Sequence, residues 1–345
     1  MIKVGVVVNI ALIVTVVLVM AVVFVNGWTD APNAIATAVS TRVLRPNVAI
    51  YIAVVMNFLG ALVMTLFNAQ VAETISNIVS FDGAGNTSQI ALAASLFAIV
   101  TWAVAAWWFG IPTSESHALI AGLTGAAMAL GGLQAVNMTE WWKVIIGLIV
   151  STVFGLGGGY IITKLVILIF RPINRLIANK FFTVGQALSA MAMAFLHGAQ
   201  DGQKFMGVFM LTLYYNGLTE KTASGGFAIP IWVMILCSVT MGVGTSVGGM
   251  RIIKSVGMDM VKLERYQGFS ADLGAAITLL FSSLFGIPVS TTHTKTTAIM
   301  GAGAAKRFSS VDWSVVRDMV LAWVLTFPGC GLIAYFMSKL FMAIF

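Results

Sequence analysis

Phe109-Gly-Ile-Pro-Thr-Ser-Glu-Ser-His117 recurs 176 residues later as Phe285-Gly-Ile-Pro-Val-Ser-Thr-Thr-His293. A second motif, Asn26-Gly-Trp-Thr-Asp30, has a counterpart 171 residues later in His197-Gly-Ala-Gln-Asp201. Two motifs that repeat at nearly the same offset indicate that the chain consists of two homologous halves of about 170 residues each.

The composition places both halves in a lipid bilayer. The chain has 345 residues, of which 59% are hydrophobic and only 9% are charged, whereas a soluble domain carries about 25% charged residues. Mean hydropathy is +0.98. We therefore predict an all-α integral membrane protein of the cell membrane, with about ten crossings of roughly 20 residues each. The apolar segments are expected at about 4–39, 48–68, 89–109, 111–132, 142–170, 183–213, 228–249, 269–286, 287–305 and 316–343.

The basic residues assign the loops to the two sides of the membrane. Groups of two or more basic residues follow the first, fifth, seventh and ninth segments, whereas the loop from Gln70 to Gln89 contains acids and no Lys or Arg. Because basic loops remain in the cytoplasm, this pattern predicts that both termini lie outside. The net charge of +7 is scattered over these loops, so it indicates a membrane lipid environment and no nucleic-acid partner. Cys237 and Cys330 lie in apolar runs, and we predict neither a disulfide nor a metal site for them.

The two predicted halves are residues 1–176 and 177–345. Each contains five crossings, and an odd number makes the second half enter the membrane the other way up. This arrangement is an inverted-topology repeat, which is typical of many secondary transporters.

The Gly-Ile-Pro motifs predict two helices that begin inside the membrane. Pro112 and Pro288 interrupt the preceding helix, and Ser and Thr residues then cap the next one. Such a helix start directs free amides and a positive dipole end at its surroundings, so two facing starts would bind an anion. The hydroxyl ligands expected there are Ser114, Ser116, Ser290, Thr291 and Thr292, followed by His117 and His293. The alternative is that these hydroxyls bond only within their own helices.

Two sets of polar residues share the spacing i, i+4, i+7, which is one face of a helix. The sets are Asn26, Asp30 and Asn33 in the first half and His197, Asp201 and Lys204 in the second. Oxygen ligands at this spacing suit Na⁺, and a carboxylate near a histidine also suits proton transfer. A buried Asp–Lys or Asp–His pair that only holds helices together is the alternative, and it does not exclude transport.

Helix-breaking residues accompany both acidic motifs. Gly27 and Pro32 in the first half, and Gly198 and Gly202 in the second, predict that each helix is broken there and exposes carbonyl groups.

Other function classes fit these residues less well. His and Asp at i, i+4 could be a metal pair or the acid and base of an intramembrane hydrolase, but neither a third ligand at zinc spacing nor an activated nucleophile accompanies them. We therefore do not expect an enzyme. An anion channel remains an alternative, although buried carboxylates in the anion path argue against a continuous pore.

The motifs resemble those of the inorganic phosphate transporter (PiT) family. Asn26-Gly-Trp-Thr-Asp-Ala-Pro-Asn-Ala-Ile-Ala-Thr37 resembles the family's first signature, and Phe195-Leu-His-Gly-Ala-Gln-Asp-Gly-Gln-Lys-Phe-Met-Gly207 resembles the second. The second stretch and Asn57-Phe-Leu-Gly60 are similar to the bacterial low-affinity branch. The resemblance extends over nearly the whole chain.

This resemblance implies a secondary active transporter that imports inorganic phosphate by symport with H⁺ or Na⁺. The phosphate-binding residues it implies are Ser114, Glu115, Ser116, His117, Ser290, Thr291, Thr292 and His293. The cation-coupling residues it implies are Asn26, Asp30, Asn33, His197, Gln200, Asp201, Gln203 and Lys204, with Na⁺ expected at Asp30, Asn33 and Asp201. No cofactor is implied, but phosphate carried as a complex with Mg²⁺ or another divalent ion is an open alternative. A homo-oligomer is also left open.

Two departures from the family pattern bear on the transported ions. Lys204 stands where sodium-coupled members commonly have Asn, and its ammonium would repel Na⁺ or replace it. We therefore expect protons to drive uptake. Glu115 lies between two serines and favours phosphate, which can donate a hydrogen bond at neutral pH, over sulfate, which cannot. A permease for sulfate or another tetrahedral oxyanion is the remaining alternative of the same fold.

Overall fold

Apolar segments of this length form helices in a bilayer because every backbone N–H and C=O must be paired within the segment. A computed structural model of the chain describes residues 10–81, 86–110, 113–223, 225–247 and 250–345, without the side chains of Arg251 and Ser255. Within these ranges there are thirteen α-helices and no β-strand. The predicted start of the first segment at residue 4 lies outside them.

The helices follow one another with short connections. They are α1 (Ile10–Thr29), α2 (Ala36–Ser40), α3 (Pro46–Phe67), α4 (Gln70–Ser76), α5 (Thr87–Trp108), α6 (Glu115–Gly131), α7 (Met138–Phe170), α8 (Arg175–Tyr215), α9 (Ile231–Val247), α10 (Met250–Lys254), α11 (Arg265–Leu284), α12 (Thr291–Lys306) and α13 (Trp313–Ile344). A 3₁₀ turn (Ala31–Ile35) joins α1 to α2, and a π-helical segment (Ser255–Asp259) follows α10.

Each of the ten predicted segments contains a helix. Seven helical stretches among the described residues are long and apolar enough to cross a membrane, and an eighth is formed if α9 and the helix at Ile252–Asp259, which meet at 76°, count as one span. The two other segments hold α11 and α12, which are more polar. The protein is therefore an all-α, multi-pass membrane protein, and its ten crossings stay a prediction.

Two regions that we predicted to be loops contain short helices. α4 lies in the loop after α3 and buries Val71, Ala72 and Ile75, while α10 and the π-helical segment lie in the basic loop after α9. A helix of two turns is too short for a hydrophobic period to stand out in the sequence.

Small residues allow the long helices to approach one another closely. A Cβ atom on Gly159 of α7 would lie 2.1 Å from the carbonyl oxygen of Ala298 on α12, and one on Gly125 of α6 would lie 2.1 Å from that of Gly331 on α13. Such glycine contacts are typical of helices packed in membranes, where association depends on close van der Waals contact.

Two apolar clusters form the interior, and both halves of the chain contribute to each. Val23 and Phe209 belong to the first cluster, and Ile35 and Leu279 to the second. Neither half therefore has a core of its own. The division at residue 176, which falls in the first turn of α8, remains a sequence-based prediction. The first acidic motif, Asn26 to Asn33, lies in the chain between Val23 of the first cluster and Ile35 of the second.

Candidate substrate and cation site

The first acidic motif lies where α1 is interrupted. The helix ends at Thr29, and the 3₁₀ turn that follows contains Pro32, which has no N–H to continue the helical ladder. The helix is therefore interrupted at Pro32 as predicted, but not at Gly27, which lies within α1 and where a Cβ atom would be 2.2 Å from the Met241 carbonyl oxygen.

The Asp30 carboxylate accepts hydrogen bonds from both halves of the chain. Asn33 Nδ2 donates to its Oδ1 at 2.8 Å, and the Thr292 hydroxyl donates to the same oxygen. Thr291 contributes a longer contact of 3.4 Å to Oδ2. Asp30, on the interrupted helix, thus contacts the first turn of α12.

Asp201 is the corresponding carboxylate of the second half, and it is fully buried. Its Oδ1 accepts from Lys204 Nζ at 2.8 Å and lies 3.4 Å from the Ser116 hydroxyl. Its Oδ2 accepts from Asn26 Nδ2 at 3.0 Å and from Thr291 at 3.2 Å. Each carboxylate therefore contacts the residue three positions on and a hydroxyl of the opposite half.

The predicted break in the second half is wrong, because α8 runs without interruption from Arg175 to Tyr215. Gly198 and Gly202 instead allow α3 to approach. A Cβ atom on Gly198 would lie 2.2 Å from the carbonyl oxygen of Asn57, and one on Gly202 would lie 2.4 Å from Ala61 Cβ. These glycines serve helix packing, which a local pattern cannot distinguish from a break.

The two Ser motifs begin helices as predicted. Ser114 caps α6 by accepting from the His117 amide at 3.2 Å, and Ser290 caps α12 by accepting from the His293 amide at 3.1 Å. The Ser290 hydroxyl also donates to Ser114 Oγ at 2.8 Å, so the two helix starts meet. Pro112 lies outside the described residues.

Amide groups of both helix starts converge on one place. The first amides of a helix have no partner within it, and each cap satisfies only one of them. Together with the dipole ends, they make the meeting point of α6 and α12 a candidate site for an anion.

Lys204 is the cation of the site, and its side chain is completely buried. Besides Asp201, its Nζ donates to Ser116 Oγ at 2.6 Å and to the carbonyl oxygen of Val289 at 2.6 Å. An ammonium group has three protons, so these three acceptors satisfy it fully. A carboxylate, a hydroxyl and a backbone carbonyl are also the ligand types that a sodium ion would use.

His197 is oriented by Asn57, which our sequence analysis did not include in the site. Asn57 Nδ2 donates to the carbonyl oxygen of Ala53 at 2.8 Å, so its Oδ1, 2.7 Å from His197 Nδ1, accepts from the ring. His197 Nε2 then faces Asp201 Oδ2 at 3.4 Å. Ligand atoms of His197, Asp201 and Asp30 all lie within 4.8 Å of one another, so these three residues could hold a cation.

Glu115, the first residue of α6, accepts a hydrogen bond from the end of α1. The Thr29 hydroxyl donates to Glu115 Oε1 at 2.7 Å. Thr29 was not among the predicted site residues because a threonine in an apolar helix gives no distinctive signal.

His117 and His293 contact each other at the first turns of α6 and α12. Their ring centroids are 4.4 Å apart, and the rings also pack on Phe327 and Trp323 of α13. Among the described contacts, neither ring hydrogen-bonds a carboxylate of the site. Their role as phosphate ligands stays a prediction.

The two glutamines of the second motif bind backbone groups. Gln200 Nε2 donates to the carbonyl oxygen of Ile287 at 3.3 Å, just before α12. Gln203 bonds the backbone of Asn68 and Val71 around the start of α4. The structure therefore places Gln203 outside the carboxylate cluster.

The sequence analysis missed a second buried ion pair, between Asp272 of α11 and Lys295 of α12. Both residues lie in segments that we predicted to cross the membrane. Charges inside such segments are costly, and this would have been sufficient reason to single them out.

Comparisons with known proteins agree with this geometry. The model of the phosphate transporter family matches residues 26–177 and 171–334. A Bacillus subtilis relative described as "Probable low-affinity inorganic phosphate transporter" is 38% identical over 92% of this chain and 94% of its own length. A Rhizobium meliloti relative of the same description is 40% identical over 92% of this chain and 93% of its own length.

A solved structure shows the same fold. It is that of "The sodium-dependent phosphate transporter", and it superposes with a TM-score of 0.85 over 98% of this chain and 100% of its own, at 22% identity. Two motif pairs in matching order, two meeting helix starts and relatives that align over nearly the full length lead to one conclusion. This chain belongs to the phosphate transporter family.

Proposed function

We propose that this protein is a secondary active transporter that imports inorganic phosphate in symport with protons. The observation that carries the proposal is Lys204, whose ammonium group is bonded to Asp201, Ser116 and the Val289 carbonyl. It occupies the second half's counterpart of a cation site, beside the two helix starts that would bind the anion.

The meeting point of α6 and α12 supports phosphate as the substrate. The capping hydroxyls of Ser114 and Ser290 touch, so one tetrahedral anion could reach both helix starts once that contact opens. Free amides, hydroxyls and two dipole ends would offer donors to a phosphate, and the Lys204 ammonium is bonded to Ser116 beside them. Relatives described as phosphate transporters support the same substrate.

The difference between the two halves supports protons as the coupling ion. Asp30 has the neutral Asn33 as its partner, whereas Asp201 has Lys204 at the same spacing. A fixed ammonium already fills the coordination of Asp201 Oδ1, so Na⁺ has no corresponding place there. The cation that is transported with phosphate must then bind at Asp30, His197 and Oδ2 of Asp201.

The orientation of His197 supports the same assignment. Its Nδ1 donates to Asn57, which leaves Nε2 as an acceptor facing the Asp201 carboxylate at 3.4 Å. Two acceptors are compatible at this distance when a proton or a metal ion lies between them. A proton taken up here would neutralise one charge of the cluster as phosphate enters.

Reconstituted uptake tests the proposal directly. Purified protein in vesicles receives labelled phosphate while a pH gradient and a sodium gradient are imposed separately. Accumulation is expected with the vesicle exterior acidic in sodium-free buffer, and not with sodium alone at equal pH. Accumulation only with sodium would reject proton coupling while leaving phosphate transport intact.

A phosphate–metal complex is a second candidate substrate, favoured by the cluster of Asp30, His197 and Asp201. Two carboxylates and one imidazole nitrogen suit a divalent ion such as Mn²⁺. Uptake of radioactive manganese in proportion to phosphate would support the complex. Phosphate uptake that is unchanged by removing divalent ions would exclude it.

We also propose that both termini face outward and that the two halves are antiparallel. Arg45 and Arg175 would then lie on the same, cytoplasmic side, since basic loops stay inside. Labelling of single cysteines at these positions with an impermeant reagent tests this. Labelling from opposite sides would contradict the antiparallel arrangement.

A further inference from the structure

Asp272 and Lys295 form a buried ion pair outside the carboxylate cluster, and both side chains are 0% exposed. Lys295 Nζ also donates to the carbonyl oxygen of Ala34 at 3.1 Å and lies 3.1 Å from the Thr37 hydroxyl. Thr37 in turn donates to Asp272 Oδ1 at 2.6 Å. The lysine is thus held by a carboxylate, a hydroxyl and a backbone carbonyl, as Lys204 is.

This contact joins the interrupted helix to α11 and α12. Lys295 lies one helical turn beyond Thr291, and Thr37 lies about one turn beyond Asn33. The Asp272–Lys295–Thr37 contact therefore lies one helical turn beyond the contact of Thr292 with Asp30 and Asn33. The Ala34 carbonyl is available to Lys295 because it belongs to the 3₁₀ turn that follows α1.

The corresponding positions of the other half are apolar. The motif offset of 176 residues pairs Asp272 with Leu96 and Lys295 with Leu119, and the offset of 171 pairs Thr37 with Val208. These three apolar residues are buried and belong to the same hydrophobic cluster. The fold thus accepts apolar packing at this place, so the architecture does not require an ion pair here.

A polar contact and an apolar contact differ in what happens when they separate. Two charges that leave each other regain hydration, which offsets much of their lost attraction. An apolar contact that opens exposes hydrophobic surface to water and gains nothing in return. Of the two equivalent contacts, one in each half of the fold, the ion pair is therefore the one that can separate readily in the presence of water.

We propose that Asp272, Lys295 and Thr37 form a positioning contact for transport. It holds the Ala34–Thr37 segment against α12 while Asp30 and Asn33 bond Thr292, and it separates when the site opens on the side of α2. This inference rests on the proposed transport function. The three residues act through the segment they hold and do not contact the substrate.

The test replaces each of the three polar residues with its apolar counterpart from the other half of the chain. The variant Thr37→Val, Asp272→Leu, Lys295→Leu replaces the whole polar contact with its apolar counterpart and leaves no charge unpaired. We expect it to fold with a Tm equal to or above that of the wild type. We expect the KM for phosphate to change less than threefold while Vmax falls at least tenfold.

The rate of cysteine labelling distinguishes a role in transport from a purely structural role, because a purely structural contact would not alter the response of that rate to phosphate. Cys237 and Cys330 are buried, so a cysteine introduced by Ser40→Cys at the end of α2 can be followed with a maleimide. Added phosphate should change its labelling rate in the otherwise wild-type protein, and the triple variant should lose that response. Lys295→Met alone should lower Tm, because it leaves Asp272 unpaired.

Two results would overturn the inference. A stable triple variant with wild-type Vmax would show that the contact does not act in transport. A triple variant that fails to fold, while Lys295→Met folds, would show that the contact is structural. Failure of the wild type itself to take up phosphate would instead reject the proposed function.

Discussion

Ser114 and Ser290 are 176 residues apart in the chain, and their hydroxyl oxygens lie 2.8 Å apart. Each caps its own helix, and the bond between them joins the first turns of α6 and α12. The repeat detected in the sequence is therefore also a contact in space. The proposed binding of one anion to both helix starts requires this contact to open.

The capping serines should affect both stability and substrate affinity. Ser114→Ala and Ser290→Ala each remove a cap, which costs about 1 kcal/mol of stability. Each should also raise the KM for phosphate about tenfold, equivalent to roughly 1.4 kcal/mol. Asn137→Ala is the matched control, because Asn137 caps α7 away from the site. It should lower Tm similarly and leave KM unchanged; an equal change in KM would contradict a role in binding.

Lys204→Asn should restore a site for a sodium ion. The variant gives the second half the residue found at Asn33, and it leaves Asp201 without its built-in cation. We expect uptake to become dependent on external Na⁺ and less dependent on a pH gradient, measured in vesicles with each gradient imposed alone. Lys204→Met, which supplies no oxygen ligand, is the control and should not respond to sodium. Sodium-independent uptake by Lys204→Asn would argue against the assignment.

The two carboxylates should be equally necessary for accumulation but differ in their effect on stability. Asp30→Asn leaves no charged partner unpaired, whereas Asp201→Asn leaves Lys204 buried without a counterion, which costs about 3–5 kcal/mol. Combining Asp201→Asn with Lys204→Met should recover most of that loss. None of the three variants should concentrate phosphate. Accumulation by Asp30→Asn would show that coupling lies elsewhere.

Gly198 should not tolerate a side chain, although α8 is a regular helix there. An alanine Cβ would lie 2.2 Å from the Asn57 carbonyl oxygen, and such overpacking costs about 1–3 kcal/mol. Gly157→Ala on α7 meets no atom within 4 Å and should be neutral or stabilising by about 0.5–1 kcal/mol. Thermal unfolding in detergent compares the two. Equal Tm values would contradict the close α3–α8 contact.

Glu115 should determine whether sulfate is excluded. Glu115→Thr installs the residue found at the equivalent position, Thr291, and removes a carboxylate that would repel a fully ionised anion. We expect sulfate to inhibit phosphate uptake by this variant and not by the wild type. Thr29→Val keeps the carboxylate and removes only its hydrogen bond, so it should continue to exclude sulfate.

The sequence alone determined the class of protein and named most of the residues that meet at the candidate site. Its charge content required a lipid environment, and its duplicated motifs identified both helix starts and both carboxylates. Pro32 was sufficient to predict the interruption after α1, because a missing N–H is a property of the residue itself. A break of this kind can be predicted from the sequence because it depends on one residue type and not on the packing of other helices.

The tertiary structure decided what the glycines, amides and remaining charges do. From the sequence, Gly198 and Gly202 could either break a helix or allow a neighbouring helix to pack closely. The position of α3 in the structure shows that they allow close packing. The bond of Asn57 to His197, and the pairing of Asp272 and Lys295 with Thr37, join residues far apart in the chain. Contacts of this kind depend on how the helices pack, which no local pattern encodes.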